Sequence, residues 1–189
     1  MPSTHSIASL AKRVEGMVKP ERFAHILRVV ELSEKIARAN GLDMGAAGLA
    51  ALLHDAARDL PAEELYRLAP PENQTEQNHP LSVHGRAARK LASDWGVGDP
   101  EVLEAIEGHV YGVAPQHLIG MVVYVADIAE PGREVNQDIR ELALSGKLLE
   151  AYRKAVVAKV EYLESKGIEV HPRTLAAYQE LAGAGEEKR

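Results

Sequence analysis

A histidine and an aspartate stand side by side in Leu52-Leu53-His54-Asp55, at the close of the small apolar run Ala46-Ala47-Gly48-Leu49-Ala50-Ala51. Ala47, Ala50 and Ala51 lie seven, four and three residues before His54, so on a helix they share its face. The spacing predicts that His54 points into apolar packing and draws Asp55 in behind it. A carboxylate in such a place is costly unless something positive holds it. A metal ion shared by His54 and Asp55 meets that need, provided other parts of the chain supply further ligands.

Composition narrows the ligand types. The chain has no cysteine, which excludes disulfides, thiolate zinc and iron-sulfur clusters and leaves His, Asp, Glu and water. Its 189 residues suit one domain with a substantial core. Aromatic residues make up only 4%, while alanine and leucine dominate, so helix is favoured over sheet. The net charge of -6 argues against nucleic acid or an anionic membrane surface as partner. No secretion signal is read in residues 1–13, and Leu118 to Ala129 is too short to span a bilayer and carries Asp127. The expectation is a cytoplasmic protein.

No strand pattern or repeat is read anywhere in the chain, which predicts one all-α domain. Ser3 or Thr4 is expected to cap a first helix reaching about Val18, and Pro20 opens a second that stops at Asn40-Gly41. Asp43 caps a third, expected to carry His54-Asp55 and end near Asp59. Pro61 starts a short fourth helix, and Glu72 to Asn78, polar and without period, reads as an exposed loop. Further helices are expected from Pro80, from Pro100 behind an Asp99 cap, over Pro115–Ala129, over Lys147–Lys166, and after Val170. The second helix buries His25, Val29, Leu32 and Ile36; the one from Pro80 presents Leu81, His84, Ala88 and Leu91; the next presents Val102, Ala105, Ile106 and His109.

Polar groups therefore recur where core residues belong: His25, His54-Asp55, His84, His109 and Asp127. Any one of them alone is more simply a packed or hydrogen-bonded residue. Together, without a shared partner, they would cost several kcal/mol to bury. Six ligands exceed what one tetrahedral zinc needs and suit two adjacent cations. His5, His79, His117 and His171 are read as structural or surface residues.

The ordered set His…His-Asp…His…His…Asp resembles the HD-domain metal-dependent phosphohydrolase superfamily. Arg22-Phe23-Ala24-His25, Leu52 to Arg58, His84-Gly85, His109, Tyr124 to Arg133 and His171-Pro172-Arg173-Thr174 are similar to its YqeK-type branch, the symmetrical bis(5'-nucleosyl)-tetraphosphatases. That resemblance implies a single-domain HD helical bundle over residues 20–182, preceded by an N-terminal helix in 1–19 and followed by a tail, 183–189, expected to fray. It implies cleavage of diadenosine tetraphosphate into two ADP by a metal-bridging hydroxide, and two divalent ions, with iron favoured and manganese, cobalt or zinc admitted by the donor set. His25, His54, Asp55 and Asp127 would hold one ion and His84 and His109 the other, with Asp55 bridging. Asp55 and Arg58 are the implied catalytic residues, and Arg58, Arg133, Arg22 and Glu130 the implied substrate contacts.

The chain departs from that branch at Arg58, where lysine is frequent, and at Val110-Tyr111-Gly112, where two threonines and a glycine are frequent. Two other readings stay open: an HD hydrolase acting on nucleoside monophosphates, deoxynucleoside triphosphates or cyclic nucleotides, or a non-catalytic nucleotide sensor. A homodimer through the helix from Lys147 is also open.

Overall fold

The computed structural model describes residues 6–186, with side chains described through residue 182. Ser3, Thr4 and His5 lie outside the described residues, as does the end of the tail. Eleven α-helices form the described chain, and no strand occurs among the described residues. They are α1 (Ile7–Glu15), α2 (Pro20–Ala39), α3 (Met44–Leu53), α4 (Ala62–Leu68), α5 (Gln74–Asn78), α6 (His84–Asp94), α7 (Pro100–Tyr111), α8 (Leu118–Ala129), α9 (Gln137–Leu144), α10 (Leu148–Ser165) and α11 (Pro172–Glu186). No helix among the described residues is long and apolar enough to cross a membrane.

Local chemistry sets the helix ends. Ser6 caps α1, Asp43 caps α3 and Asp99 caps α7, each through its side-chain oxygen. Pro20 and Pro100 occupy first-turn positions, where a missing N–H costs nothing. Gly41, at φ +69°, ends the α2 segment in a conformation that a side chain would disfavour.

The core is built on α2, α3, α7 and α8. The α2 helix packs on α3 and α8, and α7 packs on α3, α6 and α8. The α8 helix is buried all round, from Ile119 to Ala126, because α10 covers its far side. Leu10 and Val14 of α1 join the same core, so the first helix is packed against the rest.

Three local features differ from the sequence expectation. Helix α3 ends at Leu53 rather than near Asp59, and the chain continues in i→i−3 turns, with the Ala56 and Arg58 amides donating to the Leu53 and Asp55 carbonyls. Residues 54–57 stay buried in this tighter path. The stretch read as an exposed loop holds α5, with Thr75 and Glu76 buried. A short helix, α9, lies between Arg133 and Lys147, where none was expected; Ile139 and Ala143 are its buried contacts.

Candidate metal centre

Five elements each deliver a polar side chain to one point in the core. His25 comes from α2, His54 and Asp55 from the turn that ends α3, His84 from the first position of α6, His109 from the last turn of α7, and Asp127 from the last turn of α8. Ligand atoms of His25, His54 and Asp55 lie within 4.8 Å of one another. The same holds for His54, His109 and Asp127, and for Asp55, His84 and His109.

Hydrogen bonds fix which ring nitrogen carries the proton. The Nδ1 atoms of His54, His84 and His109 lie 2.5, 2.6 and 2.6 Å from the carbonyls of Ala51, Leu81 and Ile106, each three residues back. A carbonyl only accepts, so each Nδ1 carries the hydrogen, and in a neutral ring Nε2 is left to present a lone pair to the centre. His25 lies between two carboxylates, Nδ1 3.0 Å from Glu130 Oε1 and Nε2 3.1 Å from Asp127 Oδ1, so either nitrogen can carry the hydrogen. The Nε2 atoms of all four imidazoles thus face carboxylate oxygens or one another.

This arrangement could hold a cation. His54 Nε2 is fully buried and has no hydrogen-bond partner. His84 Nε2 and His109 Nε2 face each other at 2.9 Å. His25 Nε2 is 3.1 Å from Asp127 Oδ1. Asp55 divides its oxygens: Oδ1 lies 3.2 and 3.3 Å from His84 and His109, while Oδ2 lies 3.6 and 3.9 Å from His54 and His25. Electron pairs converge from every side, and a divalent cation is the group that satisfies them together. The donor set, imidazole with carboxylate, suits first-row divalent metals.

Burial pushes His54 down to about 4 and lowers His84, keeping both rings neutral and able to ligate. Burial also lowers His25, but Asp127 and Glu130 outweigh it and raise that ring above its ordinary value. Burial raises Asp55 and Asp127, yet the surrounding imidazoles outweigh it and hold both carboxylates ionised. Glu130, opposed by burial but bonded to Arg28, His25 and the Gly132 amide, is held down at about 2.

A cavity of about 500 Å³ opens beside this cluster, lined by His25, Glu130 and five cationic side chains: Lys19, Arg22, Arg28, Arg58 and Arg133. Glu21 and Asp59 are its other acids. A positive lining on a chain of net charge -6 is a local concentration of cations. Arg22 donates to Asp55 Oδ2 at 3.0 Å, and Arg133 donates to Asp127 Oδ1 at 2.9 Å. Arg58 is half-buried and forms no side-chain ion pair among the described residues. Glu130 bonds His25 rather than the centre itself, and its second oxygen accepts from Arg28 at 2.8 Å.

Sequence reasoning did not single out Lys19 or Arg28 as lining groups. Arg28 lies three residues after His25, on its helical face, and that spacing was the available signal. His171 carries the opposite tautomer from His54, His84 and His109. Its Nδ1 accepts from the Arg173 amide, so its Nε2 donates to Glu76. It begins α11 and stays apart from the cluster.

The HD domain family model matches residues 22–132. A Staphylococcus aureus protein named "Bis(5'-nucleosyl)-tetraphosphatase, symmetrical" is 30% identical over 87% of this chain and 89% of its own length. A Mycoplasma genitalium protein named "Probable nicotinate-nucleotide adenylyltransferase/Ap4A hydrolase" is 34% identical over 68% of this chain, which spans only 37% of that longer relative. A crystal structure from Clostridium acetobutylicum, described as a "predicted HD superfamily hydrolase involved in NAD metabolism", superposes with a TM-score of 0.88 at 27% identity, covering 95% of this chain and 98% of the other.

Proposed function

Since the chain belongs to the HD domain family, we propose that it is a metal-dependent hydrolase that splits diadenosine tetraphosphate symmetrically into two ADP. The observation that carries the metal dependence is the meeting of unprotonated Nε2 atoms, above all the partnerless His54 Nε2, with the oxygens of Asp55 and Asp127. The symmetrical cleavage rests on the relatives that share most of this chain's length. The proposed setting is the cytoplasm.

His25, His54, Asp55 and Asp127 would hold one divalent ion, and His84, His109 and Asp55 a second, with Asp55 using one oxygen for each side. Iron is the proposed metal, with manganese, cobalt and zinc compatible with the same donors. When bound, such a pair activates water near neutral pH and draws off charge from phosphoryl oxygens.

The protein's own residues do the rest. Arg58, Arg22 and Arg133 line the cavity beside the centre, where they would meet a polyphosphate chain. Their guanidinium forks match phosphate oxygens and hold the second and third phosphates in line for attack. Charge builds on those oxygens as the bond breaks, and Arg58, which has no ion-pair partner of its own, is the group best placed to meet it. Arg58 stays charged at neutral pH, so it stabilises charge rather than donating a proton. Glu130 acts one step back, orienting His25 through Nδ1.

The test is a substrate panel with separated products. Two ADP from diadenosine tetraphosphate supports the proposal. ATP plus AMP, or turnover of monophosphates alone, contradicts the symmetrical cleavage. Binding without turnover in the metal-loaded protein contradicts the enzyme.

A further inference from the structure

Glu76 is a carboxylate buried to 1% exposure, outside the metal cluster, and all four of its lone-pair directions are used. Its Oε1 accepts from His171 Nε2 at 3.1 Å and from the Tyr111 hydroxyl at 3.2 Å. Its Oε2 accepts from Arg86 Nη2 at 2.6 Å and from the Glu72 amide at 2.7 Å. The donors come from four places in the chain: the loop before α5, helix α6, helix α7 and the start of α11. Burial alone would raise this carboxyl, but those donors outweigh it and keep it ionised.

Two of these donors have a particular address. Arg86 is two residues beyond His84 on α6, and Tyr111 is two residues beyond His109 on α7. The same two helices touch backbone to backbone beside His84: a Cβ at Gly85 would come within 2.7 Å of the Glu107 carbonyl and 2.8 Å of Val110 Cγ2. Contact at Gly85 sets how near α6 and α7 approach. Glu76, tied to both, sets how they are turned and staggered. The 2.9 Å spacing of the two Nε2 atoms depends on both constraints. His25, His54 and Asp127 come from α2, the end of α3 and α8, none of which bonds to Glu76.

The C-terminal segment completes the brace. The Tyr111 ring centroid lies 4.3 Å from that of His171 and 4.4 Å from the Arg173 guanidinium, so both pack on it. Thr75, next to Glu76, donates to Glu169 at 2.9 Å. The segment His171-Pro172-Arg173-Thr174 therefore has a structural purpose at the far side of the second ligand pair.

We propose that Glu76 is a positioning residue for the second cation alone: by holding Arg86, Tyr111 and His171 it fixes His84 against His109, and the first cation's ligands do not depend on it. This rests on the two-cation reading of the centre. A side chain hydrogen-bonded to a metal ligand commonly sets affinity by about 10–100-fold; Glu76 acts through one further contact, so the lower end of that range, about 10-fold, is expected.

The experiment is a manganese(II) titration of the full chain, wild type against Glu76→Gln, followed by calorimetry and by paramagnetic resonance. Wild type should bind two ions and give the signal of a spin-coupled pair. Glu76→Gln should bind the first ion unchanged and the second about 10-fold more weakly, leaving an isolated-ion signal at matched free manganese. Two unaltered sites in Glu76→Gln overturn the proposal, and so does equal weakening of both sites. A wild type that binds fewer than two ions fails the two-cation reading instead. If Glu76→Gln does not fold, Tyr111→Phe removes one of the four donors; it should weaken the second site selectively, and unchanged binding there overturns the proposal.

Discussion

Nε2 of His84 and Nε2 of His109 lie 2.9 Å apart, while the Nδ1–H of each ring donates to a carbonyl three residues back in its own chain segment. Asp55 Oδ1 lies within 3.3 Å of both. These three donor atoms could hold one metal ion, and the consequences for each neighbouring residue can be measured.

His84→Ala should lose one metal ion per chain and keep the fold. Ala87 and Ala88, the buried residues that anchor α6, are untouched, so helical circular dichroism should be unchanged. Activity should fall by about 10²–10³-fold, the scale of several kcal/mol of charge stabilisation. Unchanged stoichiometry by elemental analysis counts against the assignment of His84.

Glu130→Gln keeps the shape beside His25 but removes the charge that orients it. The first cation should bind about 10–100-fold more weakly, with the second site spared. Arg28 is left without its carboxylate, but its side chain is 41% exposed and water can serve it, so the fold should persist. Calorimetric titration separates the two sites, and an unchanged first site removes Glu130 from the account.

Arg58→Ala should lower kcat/KM by about 10–100-fold, the range for losing a hydrogen bond to a charged group. Metal content and melting temperature should stay at wild-type values, because Arg58 has no ion-pair partner among the described residues. A drop in stability with unaltered turnover would make it a structural arginine.

Lys159 gives the pH dependence. Burial beside the Tyr124 ring and the Val110 carbonyl lowers its ammonium to about 8. A base with a depressed folded pKa carries a cost while both states are charged, below about 8. That cost fades as pH rises toward the unfolded value near 10.5, because the unfolded chain then binds more protons. Relative to Lys159→Met, wild type should therefore gain about 1–3 kcal/mol between pH 7.5 and 10.5, solvent contact reducing the full linkage value. Denaturant melts of both proteins across that range check the slope; parallel curves contradict it.

Much of this was legible in the sequence because helical periodicity marks the core. His25, His84 and His109 stand at spacings where apolar side chains belong, and Asp127 is the sole acid of α8, so their convergence followed from the pattern. The exit from α3 was not legible. A helix and a run of i→i−3 turns have nearly the same apolar spacing over five residues, and the choice is made by the surrounding packing. Glu76 was invisible for a different reason. It is one acid in a polar, aperiodic stretch, and its burial is created by Arg86, Tyr111 and His171, 10, 35 and 95 residues away. Arg28 and Lys19 could be placed on a helix or beside one, but only the closed fold brings them to the cavity with Arg58 and Arg133.

The most direct test is a count of tightly bound divalent ions on the full chain, loaded with iron(II) or manganese(II) under anaerobic conditions, freed of excess metal and assayed by elemental analysis beside a protein concentration from amino-acid analysis. The account predicts two ions per folded chain. A chain with its full helical content and no bound ion would contradict it, and a single ion would remove the second site formed by His84 and His109.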